Sequence, residues 1–206
     1  MPFSLRPMFH EQRSAALRQE AIDLVSKSGM AAVLEHQFRR PMIVGSVALD
    51  LMTWRDIDIY VPLDPADRDR FVAALPPIVA ALRSAGFVPY RITYNDEWFR
   101  PRGDYGQGFY FGFRVAAPGP VEWKIDLWAW DPPAYQRKLR EFAELDERLR
   151  RADRGLILRL KSEAHGLPGF RDRITSRDIY QFVLDEAGTT LGELEEYCAA
   201  LRRAGT

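Results

Sequence analysis

Cysteine is almost missing: Cys198 stands alone among 206 residues. A lone thiol excludes an internal disulfide framework, an iron–sulfur cluster and a cysteine-ligated zinc site, and it fits a reducing compartment. Histidine is nearly as scarce, and His10, His36 and His165 show no metal-ligand spacing. Neither sign of charge is in excess, since 29 basic side chains balance 29 acidic ones. That balance excludes a chain that coats a polyanion with its whole surface. No apolar run approaches the roughly 18 residues of a membrane span, and the first dozen residues lack the apolar centre of a signal peptide. The expectation is a soluble cytoplasmic protein with no membrane partner. There is no fixed-period repeat and no low-complexity tract. What is present is 47% hydrophobic residues, enough at this length for a sizeable core.

Hydrophobic periodicity divides the chain into two styles. Residues 11–37 read as a helix broken near Gly29, and Met42–Val44 as a short buried strand. Gly45–Ser46 turns the chain into a short helix over 47–52, and Asp56–Val61 alternates as a strand. Asp64-Pro65 opens a helix to about Ala85, bent at Pro76-Pro77 and capped by Gly86. Residues 87–94, 107–116 and 120–130 read as strands, rich in β-branched and aromatic side chains. After Asp131-Pro132-Pro133, the segments 134–151, 153–165, 175–187 and 190–203 all read as helices. The fold class expected is α/β: a mixed-sheet domain over 1–131 and a helical bundle domain over 132–206. Within the second part, residues 137–177 carry 12 basic and 7 acidic side chains, and 178–206 carry 2 and 6. Such blocks are either solvated helix faces or a basic surface that meets phosphates.

The chemistry concentrates in Met42-Ile43-Val44-Gly45-Ser46, nine residues, then Asp56-Ile57-Asp58-Ile59. Residues two apart in a strand share a face, so Asp56 and Asp58 project together. Side-by-side carboxylates repel, and without a cation one pKa rises. A divalent metal removes the conflict and suits hard oxygen ligands. The same alternation in Val121–Trp128 places Glu122, Lys124 and Asp126 on one face. If this strand lies beside the first, three carboxylates converge, enough for two Mg²⁺ ions holding a triphosphate. Gly45 lets backbone approach a phosphate, and Ser46 with the following N–H groups can bind its oxygens. Singly, a Gly-Ser is a turn and an Asp-x-Asp a solvated edge; their order, spacing and strand context carry the reading.

Gly45-Ser46, Asp56-x-Asp58 and Asp126 together resemble the DNA polymerase β-like nucleotidyltransferase superfamily. The resemblance implies Asp56, Asp58 and Asp126 as catalytic metal ligands and Gly45 and Ser46 as nucleotide-binding residues. It also implies transfer of a nucleoside monophosphate from an NTP to a hydroxyl. Lys124-Ile125-Asp126, Leu158-Arg159-Leu160-Lys161 and Ser176-Arg177-Asp178-Ile179-Tyr180 look like later motifs of the abortive-infection AbiE toxin-like nucleotidyltransferases. A second Asp usual in the last motif is Gln181 here. That resemblance implies Lys161 as a contact to the ATP or other NTP triphosphate, with Asp178 in the site or orienting Lys161. It implies an RNA acceptor, such as a tRNA 3′ end, and a cognate antitoxin partner. Alternatives are a small-molecule (antibiotic) acceptor, a protein side chain, or a non-catalytic nucleotide- or partner-binding role.

Positive charge for an RNA acceptor is expected from Arg159, Lys161, Arg171, Arg173 and Arg177, whereas a cationic antibiotic would need acidic groups such as Glu122, Asp96 and Glu97. Lys124 is either a salt-bridge partner of its neighbours or a phosphate contact. Trp128 and Trp130 share the face of Asp126, so either is core or a base-stacking platform. Gly103–Gly108 is glycine-rich but precedes no helix, which makes it a loop beside the sheet rather than a dinucleotide fingerprint.

Overall fold

The computed structural model describes residues 5–99, 106–168, 170 and 173–204. Helices α1 (Leu5–Lys27) and α2 (Met30–Gln37) are separated at Gly29, whose φ of 79° ends one helix and starts the next. Strand β1 (Met42–Val44) runs directly into α3 (Gly45–Ala48), followed by β2 (Asp56–Pro62). The expected single helix after Asp64 is three pieces: a 3₁₀ turn at Pro65–Asp67, α4 (Arg68–Ala73) and α5 (Leu75–Ser84). The break falls at Ala74, because Pro76 and Pro77 fit the first turn of a new helix, where their missing N–H groups need no partner. Strands β3 (Val88–Asp96), β4 (Phe109–Ala117) and β5 (Val121–Trp130) complete the sheet.

The five strands lie in the order β1-β2-β5-β4-β3. Strands β2 and β5 are parallel and the other pairs antiparallel, so the sheet is mixed. One face is apolar. Ile57, Ile59 and Val61 of β2, Phe109, Phe111 and Phe113 of β4, and Trp123, Ile125 and Leu127 of β5 are all at most 2% exposed. Helices α1, α2, α4 and α5 cover this face with Leu24, Leu34, Phe71 and Ile78. Phe71 stacks on Phe111 with ring centres 4.3 Å apart.

The remaining helices are α6 (Pro132–Leu149), α7 (Arg154–His165), α8 (Ser176–Asp185) and α9 (Leu191–Ala204). Asp131 caps α6 by accepting from Ala134 N at 2.6 Å, and Asp153 caps α7 from Leu156 N at 2.9 Å. The second face of the sheet looks toward this helical part. Leu49 and Leu51 pack with Leu149, Ile157, Leu158 and Tyr180, and α1 packs along α7. No helix among the described residues is long and apolar enough to cross a membrane.

Candidate active site

Strand alternation and register build the centre. With Ile57, Ile59, Ile125 and Leu127 committed to the core, Asp56, Asp58 and Asp126 must face the other way. The parallel register sets Asp58 opposite Asp126 and Asp56 opposite Lys124. One carboxylate oxygen from each of Asp56, Asp58 and Asp126 lies within 4.8 Å of the others. The turn from β1 into α3 is pressed against this group. Gly45 has φ 63°, and a Cβ there would sit 2.2 Å from Asp58 Oδ2. Only glycine permits both the backbone angle and the approach.

The neighbours of the carboxylates are specific. Lys124 Nζ donates to Asp126 Oδ2 at 2.5 Å and lies 3.4 Å from Asp56 Oδ1. Tyr110 Oη donates to the other oxygen of Asp126, Oδ1, at 2.9 Å. This is possible because Gly112, opposite Asp126, has no side chain; a Cβ there would come within 2.2 Å of the Tyr110 hydroxyl. Trp54 Nε1 donates to Asp56 Oδ2 at 3.3 Å.

Crowding of like charge shows in the titration of the group. Loss of water first, then the charges of Asp56 and Asp126, push Asp58 up to about 8, against the pull of Lys124 and Lys161. Burial also raises Asp126, with Lys124 opposing. Burial works to lower Lys124, but Asp56 and Asp126 outweigh it and its pKa is raised. Three converging carboxylate oxygens, one of them driven toward protonation by burial and by its neighbours' charge, are a donor set that fits Mg²⁺.

Two connected cavities open over these residues. Both are lined by Trp54, Asp56, Asp58, Tyr60, Lys138 and Arg177. One, about 490 Å³, extends over Gly45 and Ser46 toward Arg148 and Tyr180. The other, about 740 Å³, extends over Lys124 and Asp126 toward Glu97, Trp128 and Trp130.

Lys161 is placed differently from what the resemblance implies. It lines neither cavity, is fully buried, and donates to Leu51 O at 2.6 Å and Tyr180 Oη at 3.0 Å. Its ammonium lies 4.9 Å from the centre of the Trp54 ring. Burial lowers its pKa to about 7, with Asp56 and Asp58 pulling it back up. Asp178 lines the larger cavity, but its carboxylate is bound by Thr175 N and Oγ1 at 2.7 and 2.9 Å. It completes a capping box at the start of α8. Tyr180, not Asp178, orients Lys161.

Of the four expected basic residues that fall among the described ones, Arg177 alone lines the cavities over the carboxylates. Arg159 donates to Thr189 O and pairs with Glu163, and Arg173 lines a separate cavity beside Cys198. Arg171 and residues 103–105 of the glycine-rich loop lie outside the described residues. Lys138 and Arg148 of α6 were not singled out by the sequence, because only tertiary packing brings that helix over β2 and β5. Glu97 reaches the larger cavity, whereas Asp96 pairs with Arg68 and Glu122 with Tyr90 and Arg114. Trp128 lies between Tyr110 and Trp130, at ring distances of 4.6 and 4.9 Å. Trp128 and Trp130 stack nearly parallel, at 6°, and Tyr110 is tilted by 42° to Trp128.

No family profile and no curated protein matches the sequence. Among solved structures, the chain is similar to a cytoplasmic RNA terminal U-transferase, with a TM-score of 0.43 and 13% identity. The similarity covers 86% of this chain and 54% of the other. The chain thus spans about half the length of that structure.

Proposed function

We propose that this chain is a Mg²⁺-dependent nucleotidyltransferase that moves a nucleoside monophosphate from an NTP to a hydroxyl. The observation that carries the reading is the meeting of Asp56, Asp58 and Asp126 within 4.8 Å, directly against the glycine of the Gly45–Ser46 turn. Carboxylates alone could serve many ends. Carboxylates beside a turn with a backbone open to phosphates suit a triphosphate neutralised by metal. Bound divalent metal would supply charge neutralisation for the phosphates and lower the pKa of the attacking hydroxyl.

The remaining roles follow from position. Ser46 and the smaller cavity receive the triphosphate, with Arg148 and Lys138 on the facing wall. The acceptor occupies the larger cavity, where its hydroxyl lies beside Asp126. A bond forms between that oxygen and the α-phosphorus, and the bond to the β-phosphate oxygen breaks. Pyrophosphate leaves, and Asp126 takes the hydroxyl proton. Catalysis then rests on positioning and electrostatics.

RNA is the acceptor this reading favours. Arg177 and Lys138 line both cavities, and a polyanion docking beside a triphosphate needs such cations. The test is label transfer from each labelled NTP, with Mg²⁺, to total tRNA and to a small-molecule fraction at two salt concentrations. Transfer to tRNA that falls steeply with salt is expected. Transfer only to a low-mass amine or sugar would assign the other acceptor class, and no transfer to anything would overturn the enzyme reading.

A further inference from the structure

The ammonium of Lys124 stands inside the carboxylate cluster rather than beside it. It bonds Asp126 Oδ2 at 2.5 Å and lies 3.4 Å from Asp56 Oδ1. The second oxygen of Asp126 is also taken, by the Tyr110 hydroxyl at 2.9 Å. Asp126 therefore has no oxygen without a protein donor already on it. Asp58 differs: its neighbours across the gap are carboxylates and the bare Cα of Gly45. The cluster is asymmetric, with one half neutralised by the protein's own cation and the other half not.

We propose that Lys124 is a built-in cation that holds one of two cation positions in this cluster, so that the free protein takes a single divalent ion. A second ion enters only when Lys124 leaves Asp126 for another anion. The inference rests on the nucleotidyltransferase reading for the identity of that anion, a triphosphate. Electrostatics supports the exchange. A lysine is a compact point charge on a flexible four-carbon stem, so it can move between carboxylate and phosphate while β5 stays fixed. Lys124 is also placed for it, since it lines the same cavity as Asp56, Asp58 and Asp126. The consequence is ordered loading, in which the complete metal set forms only with nucleotide present.

The test counts bound Mn²⁺ by paramagnetic resonance of the free ion, alongside calorimetry. For the unmodified chain, one Mn²⁺ per chain is expected without nucleotide, and two with a non-hydrolysable NTP analogue. Lys124→Gln should bind two without nucleotide, and Lys124→Arg, which keeps the charge, should bind one. Thermal melting establishes that each variant is folded. A folded Lys124→Gln that binds one ion without nucleotide would overturn the proposal, and should that variant not fold, Lys124→Met takes its place with the same expected count of two. Two ions on the free unmodified chain, or the same count for it with and without nucleotide, would overturn the proposal while leaving the metal reading intact. Absence of Mn²⁺ binding in both the unmodified chain and Lys124→Gln would overturn both, and Asp58→Asn serves as the reference for a chain that has lost its metal.

Discussion

At the scale of single residues, Asp58 is a carboxylate held out of water beside two others. Asp58→Asn should reduce nucleotide transfer by at least about 10²–10³-fold, because a neutral amide cannot balance a divalent ion. Steady-state kinetics with saturating Mg²⁺ measures this. The same carboxyl gives the metal-free protein a pH dependence. Its folded pKa, about 8, lies above the ordinary carboxylate value. Its contribution is therefore fully present below about pH 4 and is lost as pH rises toward 8. Between pH 5 and 7 the melting temperature measured in EDTA should be held down progressively by this group, with a slope of at most about 1.4 kcal/mol per pH unit. The Asp58→Asn curve should lack that component, and added Mg²⁺ should reverse it in the unmodified chain. Lys161 acts in a higher window: its pKa is depressed to about 7, so its contribution is lost as pH falls from the ordinary lysine range through 7. Gly45→Ala combines two penalties, a left-handed φ costing about 1–2 kcal/mol and a Cβ driven into Asp58. A melting temperature lower by several degrees and a loss of Mg²⁺ binding are expected together; a loss of stability with metal affinity intact would separate the turn from the site.

At the scale of elements, α8 brings Ser176 and Arg177 into the cavity by starting where it does. Thr175 and Asp178 fix that start reciprocally. Thr175→Ala should cost about 1 kcal/mol in denaturant unfolding and also weaken nucleotide binding, because the first turn carries the cavity-lining residues. Strand pairs were the most legible part of the fold. The alternation in 56–61 and 121–128 already dictated which side chains share a face, and that face is where Asp56, Asp58 and Asp126 meet. Helix-borne residues were far less legible. Helical periodicity says that Lys161 and Asp178 lie on certain faces, but not what packs against those faces. Lys161 turns out to point into a buried space under Trp54, toward the Leu51 carbonyl. Tyr110 was equally hidden, because its reach to Asp126 depends on the absence of a side chain at Gly112 on its own strand. A sequence shows a glycine in a strand as a weakness, not as room made for a neighbour.

At the scale of the whole molecule, the sheet and the helical part share apolar surface. Leu49 and Leu51, from the connection between α3 and β2, sit among side chains of α6, α7 and α8. Lys161 of α7 is bonded to Leu51 as well, and α1 lies along α7. Unfolding by urea, followed by tryptophan fluorescence and by far-ultraviolet dichroism, should give coincident single transitions. A chain ending at Asp131 should not reach a stable fold, since it leaves Leu49, Leu51 and one side of α1 without cover. Two resolved transitions, or a cooperative fold for the shortened chain, would show that residues 1–131 stand alone.

The register between β2 and β5 also has a consequence for the order of synthesis. A ribosome releases Asp56 and Asp58 early, but their partner Asp126 arrives only with β5, and the helices that wall the cavity come later still. Parallel pairing between strands so distant in the chain cannot form until the intervening segment has been made. A nascent chain therefore carries two carboxylates and the Gly45–Ser46 turn with no third carboxylate and no opposing wall. Under the proposed function, a chain made only as far as β2 is inert, and activity waits for β5 and for the helices that wall the cavity.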